Sequence, residues 1–304
     1  MKAPLPNSRI SVDSASATWR ALPRPARLRL ACCAGWVVAL TAVYLRPLTE
    51  LVLVSLQDEL NSYIPLMPFV AGYLWVLQRK DVPADYKTSI VGTVILCLVG
   101  VAALVSAARF GSAISVNDRL ALTTLSYVAM LVAGGFLFLG SKWMAARAFP
   151  VSLLIFLVPL PDGAVHQIEL ASVQASADVS AWLFRLTGTP LLRDGTVLAL
   201  PGITLRVAQE CSGIHSSWIL FITSLVAAHL FLRSPWRRLV LVAFVFPLAI
   251  IRNSFRIVVI GLLCVHVSPE MIDSFIHRRG GPIFFALSLI PLFGLLIWLR
   301  RQEQ

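Results

Sequence analysis

The stretch Gln209–Leu232, QECSGIHSSWILFITSLVAAHLFL, decides how this chain is read. It opens on polar and acidic residues, passes a thiol at Cys211, and from Gly213 to Leu232 carries no Asp, Glu, Lys or Arg. A helix needs about 20 such residues to cross the hydrocarbon core of a bilayer. The run therefore reads as a membrane span, and Cys211 stands at its watery edge. A nucleophilic side chain at that boundary is a poor choice for plain lipid-facing structure.

Working outward, the same pattern recurs. Apolar runs occupy 28–46, 62–78, 89–108, 120–140, 144–160, 213–232, 238–265 and 282–299, the run at 144–160 being interrupted by Pro150 and Pro159. The chain of 304 residues is 58% hydrophobic and 13% charged, with a mean hydropathy of +0.80. Soluble domains are nearer a quarter charged. These features exclude a soluble core and predict an all-α integral membrane protein of about eight transmembrane helices. Residues 1–27, rich in Pro, Ser and Arg without periodicity, are expected to form a mobile basic cytoplasmic tail, and 28–304 a single multi-span membrane catalytic domain.

The net charge of +11 does not point to nucleic acid, because the basic residues fall in short clusters between apolar runs. Those clusters give an orientation instead. One set of loops, from Lys2 to Arg29, Arg79 to Lys87, Lys142 to Arg147, Arg233 to Arg238 and Arg300 to Arg301, holds sixteen Lys and Arg; the opposite set holds eight and most of the acids. Both termini are thus expected in the cytoplasm, with Cys211 on the extracytoplasmic side of a bacterial inner membrane.

The largest outer loop, 161–212, carries two local signals. Ile168, Val179, Leu183 and Leu186 recur at roughly helical spacing, predicting an amphipathic helix on the membrane surface over 164–187. Asp194-Gly195 between apolar residues is a hairpin signal, since the tight turn needs positive φ. Pro201-Gly202 marks a second turn. A small extracytoplasmic β-hairpin element is therefore expected just before Cys211.

The other cysteines, Cys32, Cys33, Cys97 and Cys264, lie in apolar runs and read as small hydrophobic filler. There is no Cys/His ligand spacing, so neither a metal nor a cofactor is expected. Cys211 is different. A thiolate is the active form of cysteine, and the start of the following helix, with its partial positive charge, favours it. Gly213 lets the backbone approach a reacting carbonyl closely. Arg256 lies in IRNSFRIVVI (251–260), flanked by apolar residues. A charge near the bilayer centre costs about 2.5–3.5 kcal/mol on insertion scales, so it needs a compensating object. Asn253 and Arg256 are three apart and share a helix face, whereas Arg252 and Arg256, four apart, repel. Ion pairing with Glu210, Glu270 or Asp273 is the plain alternative. His277 follows the 238–265 run in an outer loop, on the side of Cys211, where an imidazole could shuttle protons. His215, four residues past Cys211, is its rival.

Together, Cys211-Ser212-Gly213-Ile214, Asn253-x-x-Arg256 and His277, in this order at outward span ends, resemble the exosortase/archaeosortase family of membrane-embedded cysteine transpeptidases. Pro159-Leu160-Pro161, Arg193-Asp194-Gly195 and the stretch Val207–Gly213 are similar as well. The resemblance implies a catalytic Cys211, Arg256 and His277; Asn253, Arg252, Glu210, His215, Ser212 and Gly213 are expected beside them as substrate-binding residues. It implies a protease and transpeptidase that cuts a C-terminal sorting signal, made of a short motif, a transmembrane helix and a basic cluster, through a thioester. The partners implied are exported proteins bearing that signal, membrane lipids and a glycan or lipid acceptor in the envelope, often alongside exopolysaccharide production. Family members often carry arginine where His215 stands. Two other readings use the same residues. One is a cysteine protease that only hydrolyses. The other is a transporter or exopolysaccharide-assembly subunit, whose Arg252 and Arg256 would hold an anionic lipid-linked glycan.

Overall fold

The computed structural model describes residues 23–77, 86–207, 214–268, 270–271 and 281–303. Within the described residues, each of the eight apolar runs is mostly helical. Six of the helices are long and apolar enough to cross a membrane: α1 (Arg24–Val43), α4 (Ile90–Phe110), α5 (Val116–Phe138), α9 (Ile214–Phe231), α10 (Pro235–His266) and α11 (Gly281–Arg301). The runs at 62–78 and 144–160 give shorter pieces. The first is a 3₁₀ turn, Ile64–Leu66, leading into α3 (Met67–Leu77); the second is α7 (Ala148–Ser152) followed by a 3₁₀ turn, Leu153–Leu157. Counting Ala148–Leu157 with the next helix, α8 (Asp162–Leu186), as one broken span brings the total to seven. Two further helices are α2 (Leu45–Gln57) and α6 (Ser141–Ala146).

Local chemistry sets the helix ends. α1 starts at Arg24, four residues before its apolar run, because Pro23 and Pro25 pre-set the first-turn backbone. Ser115 accepts from the Asp118 N–H at 3.0 Å and so caps α5, with the Asp118 carboxylate in its first turn. The start of α10 borrows its cap from a distant residue: Glu303 accepts from the Arg233 and Ser234 N–H groups, each at 2.8 Å, with Arg237 at 3.5 Å.

Contacts gather the chain into two compact units. The first holds the described residues up to Val54 together with Ile64–Pro159; the second holds Ser55–Tyr63 with the described residues from Leu160 onward. In the first, α4 and α5 form an antiparallel pair and α1 packs on α5. Trp36 donates from Nε1 to the Met130 carbonyl at 3.0 Å, its indole lying over Gly134, where a Cβ would come within 2.3 Å. Tyr44 and Ser126 share a buried hydrogen bond of 2.7 Å, and Arg147 lies against Trp143 and Trp75.

In the second unit, α10 is central, with α8, α9 and α11 packed against it. The three strands β1 (Leu192–Asp194), β2 (Val197–Leu200) and β3 (Ile203–Arg206) form an antiparallel meander. Asp194 pairs with Val197, leaving Gly195-Thr196 as a two-residue turn with Gly195 at φ 57°. The second turn is Pro201-Gly202, with Gly202 at φ 80°, as a type II turn requires. Leu198, Leu200 and Leu205 of the sheet meet Val173, Ala177 and Phe184 of α8 and Ile257 of α10 in one core. The helix expected over 164–187 is α8, but it packs through a different face. Val173, Ser176, Ala177, Ser180, Ala181 and Phe184 are buried, while Ile168 and Leu186 are exposed. Small side chains let two helix backbones approach closely where no hydrophobic force drives them together, and spacing of large apolar residues alone does not reveal that face.

Candidate functional site

Of the nine residues singled out for chemistry or binding, four are among the described residues and five are not. Glu210, Cys211, Ser212 and Gly213, and likewise His277, lie outside the described residues. His215, Arg252, Asn253 and Arg256 are described and belong to the second unit.

α10 carries three consecutive buried polar side chains, Arg252, Asn253 and Ser254, within a mostly apolar stretch of the helix. Successive helical residues are about 100° apart, so three in a row face more than one neighbour. Arg252, 9% exposed, looks toward α9, and its Nη2 donates to Ser217 Oγ at 3.0 Å. Asn253 looks toward α8, where its Nδ2 donates to Ser176 Oγ at 3.0 Å. Ser254 Oγ donates to the Ser176 carbonyl at 3.1 Å and lies 2.8 Å from the Ile250 carbonyl of its own helix. Ser176 thus takes two contacts from α10, which fixes the register of the α8–α10 pair. Arg256, one turn beyond Arg252, is only half-buried, and the two guanidinium groups repel.

α9 begins at Ile214. His215 is half-buried, and its Nδ1 is shielded from solvent with no hydrogen-bond partner among the described residues. Three residues on, Trp218 stacks on Phe221 with centroids 5.4 Å apart, and its edge meets the ring of Tyr63 at 6.5 Å. Phe221 in turn packs on Phe246 of α10 at 5.9 Å. Tyr63 is buried and comes from the Ser55–Tyr63 segment, where Asp58 accepts from the Leu60 N–H at 3.0 Å and from Asn61 Nδ2 at 2.6 Å.

The structure therefore brings Arg252 onto the first turns of α9, close in sequence to His215, and turns Asn253 the other way. Sequence reasoning missed Ser217, Ser176 and the Tyr63–Trp218 contact. A signal existed for the serines: a buried amide and a buried guanidinium each need a polar partner, and Ser176 and Ser217 are hydroxyls in helices of mostly apolar residues. No local pattern announces Tyr63, which is distant in sequence from Trp218.

Six long apolar helices, shorter apolar helices beside them and a three-stranded sheet define a multi-pass, mostly α-helical membrane protein. Residues 54–294 match the family model described as Transmembrane exosortase (Exosortase_EpsH), and the chain belongs to that family. Comparison with curated proteins and with solved structures gives no match.

Proposed function

We propose that this protein is a cysteine transpeptidase of the bacterial inner membrane. In this reading it cleaves the C-terminal sorting signal of exported proteins on the extracytoplasmic side and passes them to an envelope acceptor. The observation that carries the reading is Arg256, a half-buried guanidinium in a 32-residue apolar helix, inside the segment that matches the exosortase family. A guanidinium at this place can donate to a carbonyl oxygen that develops negative charge.

The chemistry follows from the residue types. The Cys211 thiolate attacks the carbonyl carbon at the sorting motif. Arg256 donates to the oxygen as it gains charge. The C–N bond breaks, and His277 gives a proton to the leaving amine. The acyl group then sits on Cys211 as a thioester. An acceptor nucleophile gives its proton to His277 and attacks the thioester carbonyl. The C–S bond breaks, the product leaves, and the thiolate is restored. Asn253, with its amide committed to Ser176, contributes by holding α10 in register on α8.

Cys211→Ala and Cys211→Ser are expected to abolish processing of a tailed substrate in cells, while Cys264→Ala is expected to leave it intact. Cys264 is buried in α10, in apolar surroundings that suit filler. Immunoblots of substrate size read the result. Full processing by Cys211→Ala would replace this reading with the transporter or exopolysaccharide-assembly one, in which Arg252 and Arg256 matter and the thiol does not.

A further inference from the structure

Arg252 and Arg256 sit four residues apart on α10, yet their surroundings differ. Arg252 is 9% exposed and reaches across to α9, where Ser217 Oγ accepts from its Nη2 at 3.0 Å. Arg256 is half-buried, one turn nearer the His266 end of the helix. Ser217 is itself in a well-held place. Its neighbour Trp218 is stacked on Phe221 and edged by Tyr63, and Phe221 packs on Phe246 of α10. The hydroxyl is thus fixed relative to both α9 and α10, and a fixed acceptor fixes the fork that donates to it.

We infer that Ser217 is a positioning residue: it anchors the Arg252 guanidinium against α9. Anchoring has two consequences. It ties the first turns of α9 to α10 through a charge-assisted hydrogen bond, one of the stronger kinds in a low-dielectric interior. It also immobilises a positive charge one turn from Arg256. Like charges at this spacing repel, so a pinned Arg252 biases Arg256 away from itself, along the helix toward His266. Arg252 then acts on the reaction through Arg256 and through α9, without touching the reacting atoms. This role rests on the transpeptidase reading; the anchor itself rests on the contacts.

The test uses the purified full-length protein in lipid nanodiscs with a tailed peptide substrate. Loss of a hydrogen bond to a charged group corresponds to about tenfold to a hundredfold in rate when it is expressed in the transition state. Ser217→Ala is expected to lower kcat by that factor with KM changed less than about twofold. Ser217→Thr, which keeps the hydroxyl, is expected to restore most of the rate. The double variant Ser217→Ala/Arg252→Gln is expected to be no slower than Arg252→Gln alone. A wild-type kcat in Ser217→Ala, a Ser217→Thr as slow as Ser217→Ala, or additive losses in the double variant would each overturn the proposal.

A second measurement is independent of activity. Phenylglyoxal labelling, read residue by residue by mass spectrometry, is expected to spare Arg252 in the wild type and in Ser217→Thr and to label it several-fold faster in Ser217→Ala. Equal labelling of Arg252 in wild type and Ser217→Ala overturns the anchor whatever the activity. Protection of Arg252 in a wild-type protein that processes no substrate overturns the transpeptidase reading and leaves the anchor standing.

Discussion

Arg256 carries a charge within a helix long enough to span a membrane, and a charge at a bilayer centre costs about 2.5–3.5 kcal/mol on insertion scales. If the compensating object is a substrate carbonyl becoming an oxyanion, the planar fork of arginine matters and a lysine point charge does not replace it. Arg256→Lys is expected to insert at wild-type abundance and to process substrate about 10²–10³-fold more slowly, the scale of losing one oxyanion donor. Arg252→Lys is expected to be milder, because Arg252 donates to Ser217 and a lysine ammonium can still donate a hydrogen bond. Abundance and processing measured side by side decide it. Normal processing by Arg256→Lys would reduce Arg256 to a mere positive charge and withdraw its catalytic role. At this scale the sequence was partly legible. The polar residues of 252–256 announced themselves against an apolar background. The split between them did not: whether a helical position faces α8 or α9 depends on how three helices pack, and no local pattern encodes that.

Elements were easier to read than the faces they bury. The meander before α9 was legible because Asp194-Gly195 and Pro201-Gly202 name their turns, and both glycines have the positive φ those turns demand. α8 was legible as a helix, but between Val173 and Phe184 its packed face is Ser and Ala, which a search for large apolar side chains passes over. Gly261 shows how tight the packing around that face is. A Cβ there would lie 2.5 Å from Phe184 Cζ, 3.0 Å from Leu205 Cδ1 and 3.1 Å from Leu200 Cδ1. Phe184 is fully buried and has no space into which to retreat. Gly261→Ala is therefore expected to destabilise by about 1–3 kcal/mol, the usual cost of overpacking, seen as a lower melting temperature in detergent; an unchanged melting temperature would mean that α8 and the sheet shift at little cost. The borrowed cap of α10 gives a pH-dependent counterpart. The N–H groups of Ser234 and Arg233, and then the Arg237 guanidinium, hold the Glu303 carboxyl below the ordinary glutamate value. A carboxyl depressed in the folded state contributes stability that is fully present above its unfolded pKa. That stability is lost as pH falls through the folded value. Glu303→Gln should lower the melting temperature at pH 7 and erase its difference from wild type once the pH is below the folded value. A difference that persists unchanged into acid would show that the charge of Glu303 is not what holds the helix start.

At the scale of the molecule, hydropathy revealed eight apolar runs, and among the described residues each is mostly helix, with six helices at spanning length. Where the reading ran short, the cause was proline and brevity. Pro150 lies within α7, and Ile64–Leu77 is too short to be counted as a span by length. The split of sixteen Lys and Arg against eight belongs to a chain in which all eight runs cross, so orientation is better read from the basic cluster next to a single long helix. The second unit offers the cleanest test of it. α9 has 18 residues, about 27 Å at 1.5 Å per residue, close to the hydrocarbon thickness. Residues 190 and 235 flank it with no other long apolar helix between them among the described residues, so a spanning α9 is expected to leave them on opposite faces of the membrane. Arg233, Arg237 and Arg238 cluster at one end, and that end is expected in the cytoplasm. The other end carries the sheet and leads to Cys211. An alkaline phosphatase fusion at residue 190 is expected to be active and a fluorescent-protein fusion at 235 to glow, with the reciprocal fusions silent. His277 follows the next long helix, α10, and so returns to the face of residue 190 if α10 crosses once. A reversed pattern would put the basic cluster outside, and two matching signals would mean that α9 does not span. Either result would leave the thiol without the extracytoplasmic setting on which the transpeptidase chemistry depends.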